Sequence, residues 1–118
     1  MKPAANMVLV VDDERAIRGL VARMLMGLGF TILEARNGLE AVELYGSYRS
    51  GIALVVTDID MPVMDGLEAI DRMRELSPDV RVLVMTGTGR DLNIPGCQLL
   101  RKPFTLRQLS ELVGRTLA

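Results

Sequence analysis

Apolar positions along the chain switch between two spacings. Near-continuous aliphatic runs occur at Met7–Val11, Ala53–Thr57 and Val80–Met85, with further runs at Thr31–Ala35 and Gln98–Arg101. Runs of this length read as strands, and unbroken ones are expected where a sheet is covered on both faces. Between them the spacing changes to that of a helix with one apolar stripe. Ile17, Leu20, Val21, Met24, Leu25 and Leu28 form the first stripe, and Leu39, Val42, Tyr45 and Tyr48 the second. Leu67, Ile70 and Met73 form a third, opened by Asp65-Gly66. Leu106, Leu109, Leu112, Val113 and Leu117 form the last, with Thr105 placed to cap it. Strands alternating with helices predict an α/β fold: a doubly wound parallel sheet with right-handed crossovers. No linker, repeat or low-complexity stretch interrupts the pattern, so residues 1–118 are expected to form one domain with its core over 7–117.

Polar residues that carry chemistry fall at the ends of these runs. Asp12 and Asp13 follow the first, Asp58 the third, Thr86 the fourth and Lys102 the fifth. In an open parallel sheet the carboxyl ends of the strands share one edge, and ligands bind there. Each signal alone has an ordinary explanation. An Asp-Asp pair is often a helix entry, Thr86-Gly87 a turn, and Lys102-Pro103 the start of a helix. Their agreement on one edge points to a site. Three carboxylates held together resist ionisation, and a hard divalent cation with oxygen ligands removes the conflict, which suits Mg²⁺ or Mn²⁺. A carboxylate nucleophile, a metal, an ammonium and a hydroxyl donor are the parts needed for phosphoryl transfer.

Composition narrows the alternatives. The chain is 49% hydrophobic and 25% charged, with net charge −1, which gives no electrostatic reason to bind nucleic acid or an anionic membrane. One cysteine, Cys97, makes no internal disulfide, and the start carries no apolar signal segment, so a cytoplasmic setting is expected. The absence of histidine excludes a Ser-His-Asp triad, imidazole-based zinc and any histidine phosphodonor role.

Four segments together resemble the receiver domain of two-component response regulators: Val8-Leu9-Val10-Val11-Asp12-Asp13-Glu14, Thr57-Asp58-Ile59-Asp60-Met61-Pro62-Val63-Met64-Asp65-Gly66, Met85-Thr86-Gly87 and Lys102-Pro103-Phe104. The resemblance implies a flavodoxin-like five-stranded sheet of order 2-1-3-4-5. It implies Asp58 as phosphoacceptor, served by a histidine kinase or histidine phosphotransfer protein. Asp12, Asp13, Asp58 and the backbone carbonyl of Asp60 are the implied Mg²⁺ ligands, with one of the acidic pair acting through water. Lys102 is the implied partner of a phosphoryl oxygen, Thr86 the switch hydroxyl, and Lys102-Pro103 a cis peptide bond. Asp60 and Thr88 occupy places that tune dephosphorylation. An acidic Asp60 is expected to affect acceptance from a small phosphodonor more than folding. The run from Pro95-Gly96 through Leu99-Leu100-Arg101-Lys102-Pro103-Phe104-Thr105 is similar to C-terminal receivers of hybrid sensor histidine kinases.

Two departures from the family pattern stand out. The switch aromatic expected three residues before the lysine is Leu99. The interval from Thr86 to Lys102 is short by roughly one and a half helical turns. Its breakers, among them Gly89, Pro95 and Gly96, leave no room for a proper fourth helix, so that element is expected to be shortened or missing. Two rival functions follow. A protein-interaction receiver could persist without using phosphate. A haloacid-dehalogenase-type phosphohydrolase could use Asp58-Ile59-Asp60, but its nucleophile lies on the first strand, and here only Glu111 is acidic after Lys102.

Overall fold

The computed structural model describes residues 5–87 and 92–118. Five parallel strands, β1 (Met7–Val11), β2 (Thr31–Ala35), β3 (Ile52–Asp58), β4 (Val82–Thr86) and β5 (Cys97–Arg101), form one sheet in the order β2-β1-β3-β4-β5. The helices are α1 (Arg15–Gly27), α2 (Gly38–Tyr48), α3 (Gly66–Leu76) and α4 (Leu106–Leu117), with a 3-10 turn at Arg49–Gly51. Among the described residues between Thr86 and Cys97, none is helical. No helix among the described residues is long and apolar enough to cross a membrane.

The sheet has a core on each face, and the two-residue period of the strands assigns them. Leu9 and Val11 join Val55, Val82 and Val84 beneath α2 and α3. Val8 and Val10 join Leu54, Val56, Leu83 and Met85 beneath α1 and α4. Each fully buried aliphatic side chain contributes about 1.5–3 kcal/mol relative to exposure. The apolar stripes are narrower than the periodicity predicts. Leu20, Leu28, Leu39, Tyr48, Leu67 and Leu106 lie exposed, while Ala22, Gly38, Ala41 and Ala69 are buried. Small residues let a helix lie close to the sheet, so the bulky residues at its flanks and ends face water.

Helix starts follow local chemistry. Asn37 accepts a hydrogen bond from the Glu40 N–H at 2.8 Å, and Asp65 from the Glu68 N–H at 2.9 Å. Thr105 and Gln108 form a reciprocal capping box that starts α4. Each cap stabilises its helix by about 1 kcal/mol. Thr105 and Asp65 therefore fix where the chain leaves the site-bearing edge.

Candidate functional site

The site lies at the carboxyl edge of the sheet. Asp58 is the last residue of β3, and Thr86 the last of β4, so both are held by strand pairing rather than by loops. Asp12 follows β1 directly and is still tethered, its N–H donating to the Ala35 carbonyl at 3.1 Å. Lys102 follows β5, and its N–H donates to the Thr86 carbonyl at 2.8 Å. The buried, unbroken runs of β1, β3 and β4 thus deliver polar side chains to one edge.

The Lys102 ammonium bridges two carboxylates, 3.1 Å from Asp12 Oδ2 and 3.3 Å from Asp58 Oδ2. One carboxylate oxygen from each of Asp12, Asp13 and Asp58 lies within 4.8 Å of the others. Asp12 is fully buried, Asp58 is 5% exposed, and Asp13 opens to solvent. Burial pushes the Asp58 carboxyl above the usual carboxylate range; Lys102 offsets this in part, and the neighbouring Asp12 adds to the rise. Burial also disfavours the charged form of Lys102, but its hydrogen bond to Asp12 and the charges of Asp12 and Asp58 outweigh it, and its pKa is raised.

Three carboxylates face one ammonium, so the cluster carries excess negative charge. Ligands of a six-coordinate Mg²⁺ sit about 2.1 Å from the ion, which puts neighbouring oxygens about 3 Å and opposite ones about 4.2 Å apart. The all-oxygen donor set suits such an ion. Its charge would relieve the repulsion between the carboxylates, the lesser of the two causes that raise the Asp58 pKa.

The remaining predicted residues take varied places. Thr86 is buried at the end of β4, and its hydroxyl donates to the Gly87 carbonyl at 3.5 Å. Asp60 is exposed, with its backbone N–H 3.4 Å from Asp58 Oδ1. The Lys102-Pro103 peptide is cis. Leu99 is half-buried on β5, against the core beneath α3. Thr88 lies outside the described residues.

Other residues at this edge shape the site without being among its predicted site residues. The Thr57 hydroxyl donates to the Asp58 carbonyl at 2.8 Å. Gly66 abuts that same carbonyl: an added Cβ would overlap the Asp58 oxygen and lie 2.9 Å from Ile59 Cα. Arg18 donates Nη1 to the Asp12 carbonyl at 2.9 Å and Nε to Glu34 at 3.1 Å. Val63 has φ 70°, and Met64 N–H donates back to Pro62 at 2.8 Å, a three-residue turn that a β-branched residue adopts under strain.

Comparison with known proteins agrees with this arrangement. The family model of the response regulator receiver domain matches residues 8–114. Sensor kinase CckA of Brucella abortus (strain 2308) is 35% identical over 116 residues, covering 93% of this chain and 12% of that protein. The chain thus spans about an eighth of that relative's length. The crystal structure of the receiver domain of hybrid histidine kinase CckA matches with TM-score 0.84 and 29% identity, over 95% of this chain and 99% of the other. A chain of the CheX-CheY-BeF3-Mg²⁺ complex from Borrelia burgdorferi matches with TM-score 0.88 and 26% identity, over 95% and 89%.

Proposed function

The chain belongs to the response regulator receiver domain family of two-component systems, and on that premise we propose that it accepts a phosphoryl group on Asp58. The reading takes residues 1–118 as one receiver domain with its core over 7–117. The observation that carries it is the Lys102 ammonium shared between Asp12 and Asp58 inside a cluster of three carboxylates.

Asp58 is the nucleophile. A carboxylate oxygen attacks phosphorus, a P–O bond forms, and the bond from phosphorus to the donor breaks. With a phosphohistidine donor the leaving group is an imidazole nitrogen, which takes up a proton from solvent. Asp12, Asp13, Asp58 and the backbone carbonyl of Asp60 would hold Mg²⁺ (or Mn²⁺). When bound, the ion neutralises charge on the transferring group. Lys102 pairs with a phosphoryl oxygen after leaving the Asp58 carboxylate, and the Thr86 hydroxyl donates to another. Asp60 and Thr88 tune removal of the group by water. Chemistry is limited to this self-catalysed uptake and slow loss. The donor is a histidine kinase or histidine phosphotransfer protein in the cytoplasm, and the similarity to a sensor kinase supports a place within a hybrid kinase.

Treatment with acetyl phosphate and Mg²⁺ tests the reading by intact-mass spectrometry. One phosphoryl addition per chain that decays slowly, and is absent in Asp58→Asn, is expected. No addition overturns phosphoacceptance and leaves a protein-interaction receiver. Steady turnover of a phosphomonoester would instead support the phosphohydrolase. Leu99 and the lack of helix among the described residues between β4 and β5 favour a second reading, acceptance without propagation. Under it, beryllofluoride with Mg²⁺ shifts amides near Asp58 and Thr86 and none near Leu99.

A further inference from the structure

We propose that Arg18 is the positioning residue for the acidic pair: by gripping the Asp12 carbonyl, it sets the direction of Asp13 and hence the affinity for Mg²⁺. The inference rests on the reading of Asp12, Asp13 and Asp58 as ligands.

Every polar atom of Asp12 has a partner. Its N–H goes to Ala35, Oδ1 accepts the Glu14 N–H at 2.9 Å, Oδ2 meets Lys102, and its carbonyl accepts Arg18 Nη1. Three of these contacts fix Asp12 itself. The fourth fixes the peptide plane that joins Asp12 to Asp13, because a held carbonyl leaves that plane no freedom to turn. Asp13 is exposed, and none of the described residues supplies such a hold on its side chain. Its approach to the other two carboxylates therefore depends on the peptide before it.

Arg18 is built for this task. Its side chain is only 17% exposed, although it lies on a helix next to solvent. Glu34 of β2 accepts from Nε while Nη1 points to Asp12, so the planar fork is oriented from behind. The grip spans three elements, from α1 to the end of β1 with an anchor on the edge strand. A lysine offers one ammonium, which cannot serve both partners in the same planar geometry.

Electrostatics predicts the opposite effect, which makes the inference sharp. Arg18 is a cation close to a cation site. If it acted through charge alone, its removal would tighten Mg²⁺. If it acts by holding the Asp12-Asp13 peptide, removal weakens Mg²⁺, as loss of groups that orient ligands does, by about 10–100-fold.

The test is titration of the metal-free protein with Mg²⁺ alone, following the Asp13 and Asp58 amide shifts, at moderate and at high potassium chloride. Arg18→Met is expected to bind about tenfold more weakly at both salt levels. Arg18→Lys, which keeps the charge and most of the stem, is expected to bind about fivefold more weakly, between the two. Arg18→Met that binds as tightly as the parent, or more tightly, overturns the proposal. So does Arg18→Lys within twofold of the parent, which decides alone if Arg18→Met does not fold. A parent protein with no saturable Mg²⁺ shift overturns the ligand reading itself, whereas a parent that binds beside unchanged variants overturns only the role of Arg18.

Discussion

The edge that holds Asp12 and Asp58 and the segment that joins β4 to β5 are secured by different means. Around Asp58 the backbone is tied by hydrogen bonds on both sides: the Ile59 N–H donates to Met85 at 3.2 Å, and Gly66 donates to Ile59 at 3.0 Å. Among the described residues of the β4–β5 connection, the Cys97 N–H donates to Ile94 at 3.1 Å, and side chains add to this. Ile94 is buried and Leu92 half-buried against the core beneath α3, beside Cys97 and Leu99. Arg74 of α3 reaches across to the Pro95 carbonyl and to Cys97 Sγ, 3.4 Å away. Among the described residues, Leu92 and Ile94 cover this part of the sheet and Arg74 pins the segment beside them. A site that must place oxygens to within tenths of an ångström uses strand ends; a cover that must only exclude water uses side chains.

Substitutions at the two regions should therefore fail in different ways. The largest effect is expected at Asp58→Asn, which abolishes phosphoryl uptake and yet stabilises the metal-free fold at neutral pH. The sign follows from the raised folded-state pKa. Its contribution is fully present below the unfolded carboxyl pKa and is lost as pH rises through the folded one. Thermal unfolding should show a gain for the variant at pH 7 that shrinks toward pH 4. A gain independent of pH would break the assignment.

Next comes Gly66→Ala. The atoms in the way are backbone and cannot yield, so a loss of about 3 kcal/mol in urea unfolding is expected, with weaker Mg²⁺ binding. Ile94→Ala should cost about 2 kcal/mol, the low end for a buried aliphatic truncation, and leave Mg²⁺ affinity unchanged. Equal damage to metal binding from both would mean that the two regions are not secured independently. The smallest effect is expected at Arg74→Met, about 0.5–1 kcal/mol, because its contacts are partly solvated. In the same region, burial raises the Cys97 thiol pKa and Arg74 offsets only part of it. Alkylation of Cys97 at neutral pH should run slower than that of a free cysteine and speed up as pH climbs past the ordinary thiol range.

Much of this was legible in the sequence because parallel strands buried on both faces leave an unbroken aliphatic record. Met7–Val11 and Thr31–Ala35 match the predicted strands at both ends. The run Val80–Met85 overshoots at its start, because Val80 donates to Ser77 in a turn and pairing with β3 begins at Val82. The Asp12, Asp13, Asp58 and Lys102 cluster could be read because each residue ends such a run. Arg18 could not. An arginine at that place on a helix looks like part of a solvated face, and its grip on Asp12 depends on β2 lying alongside, a neighbour set by topology and not by spacing. Val63 was equally silent, since nothing in Pro62-Val63-Met64 announces a positive φ.

Gly66 has a further consequence. Because nothing separates the first residue of α3 from the Asp58 carbonyl, that helix abuts the main chain of Asp58 directly. A displacement of the Asp58 main chain would therefore press directly on a helix about 16 Å long. The far end of that helix bears exposed Leu76, whose carbonyl Arg49 holds at 3.1 Å. Such a push would bear on the opposite rim of the sheet without calling on position 99.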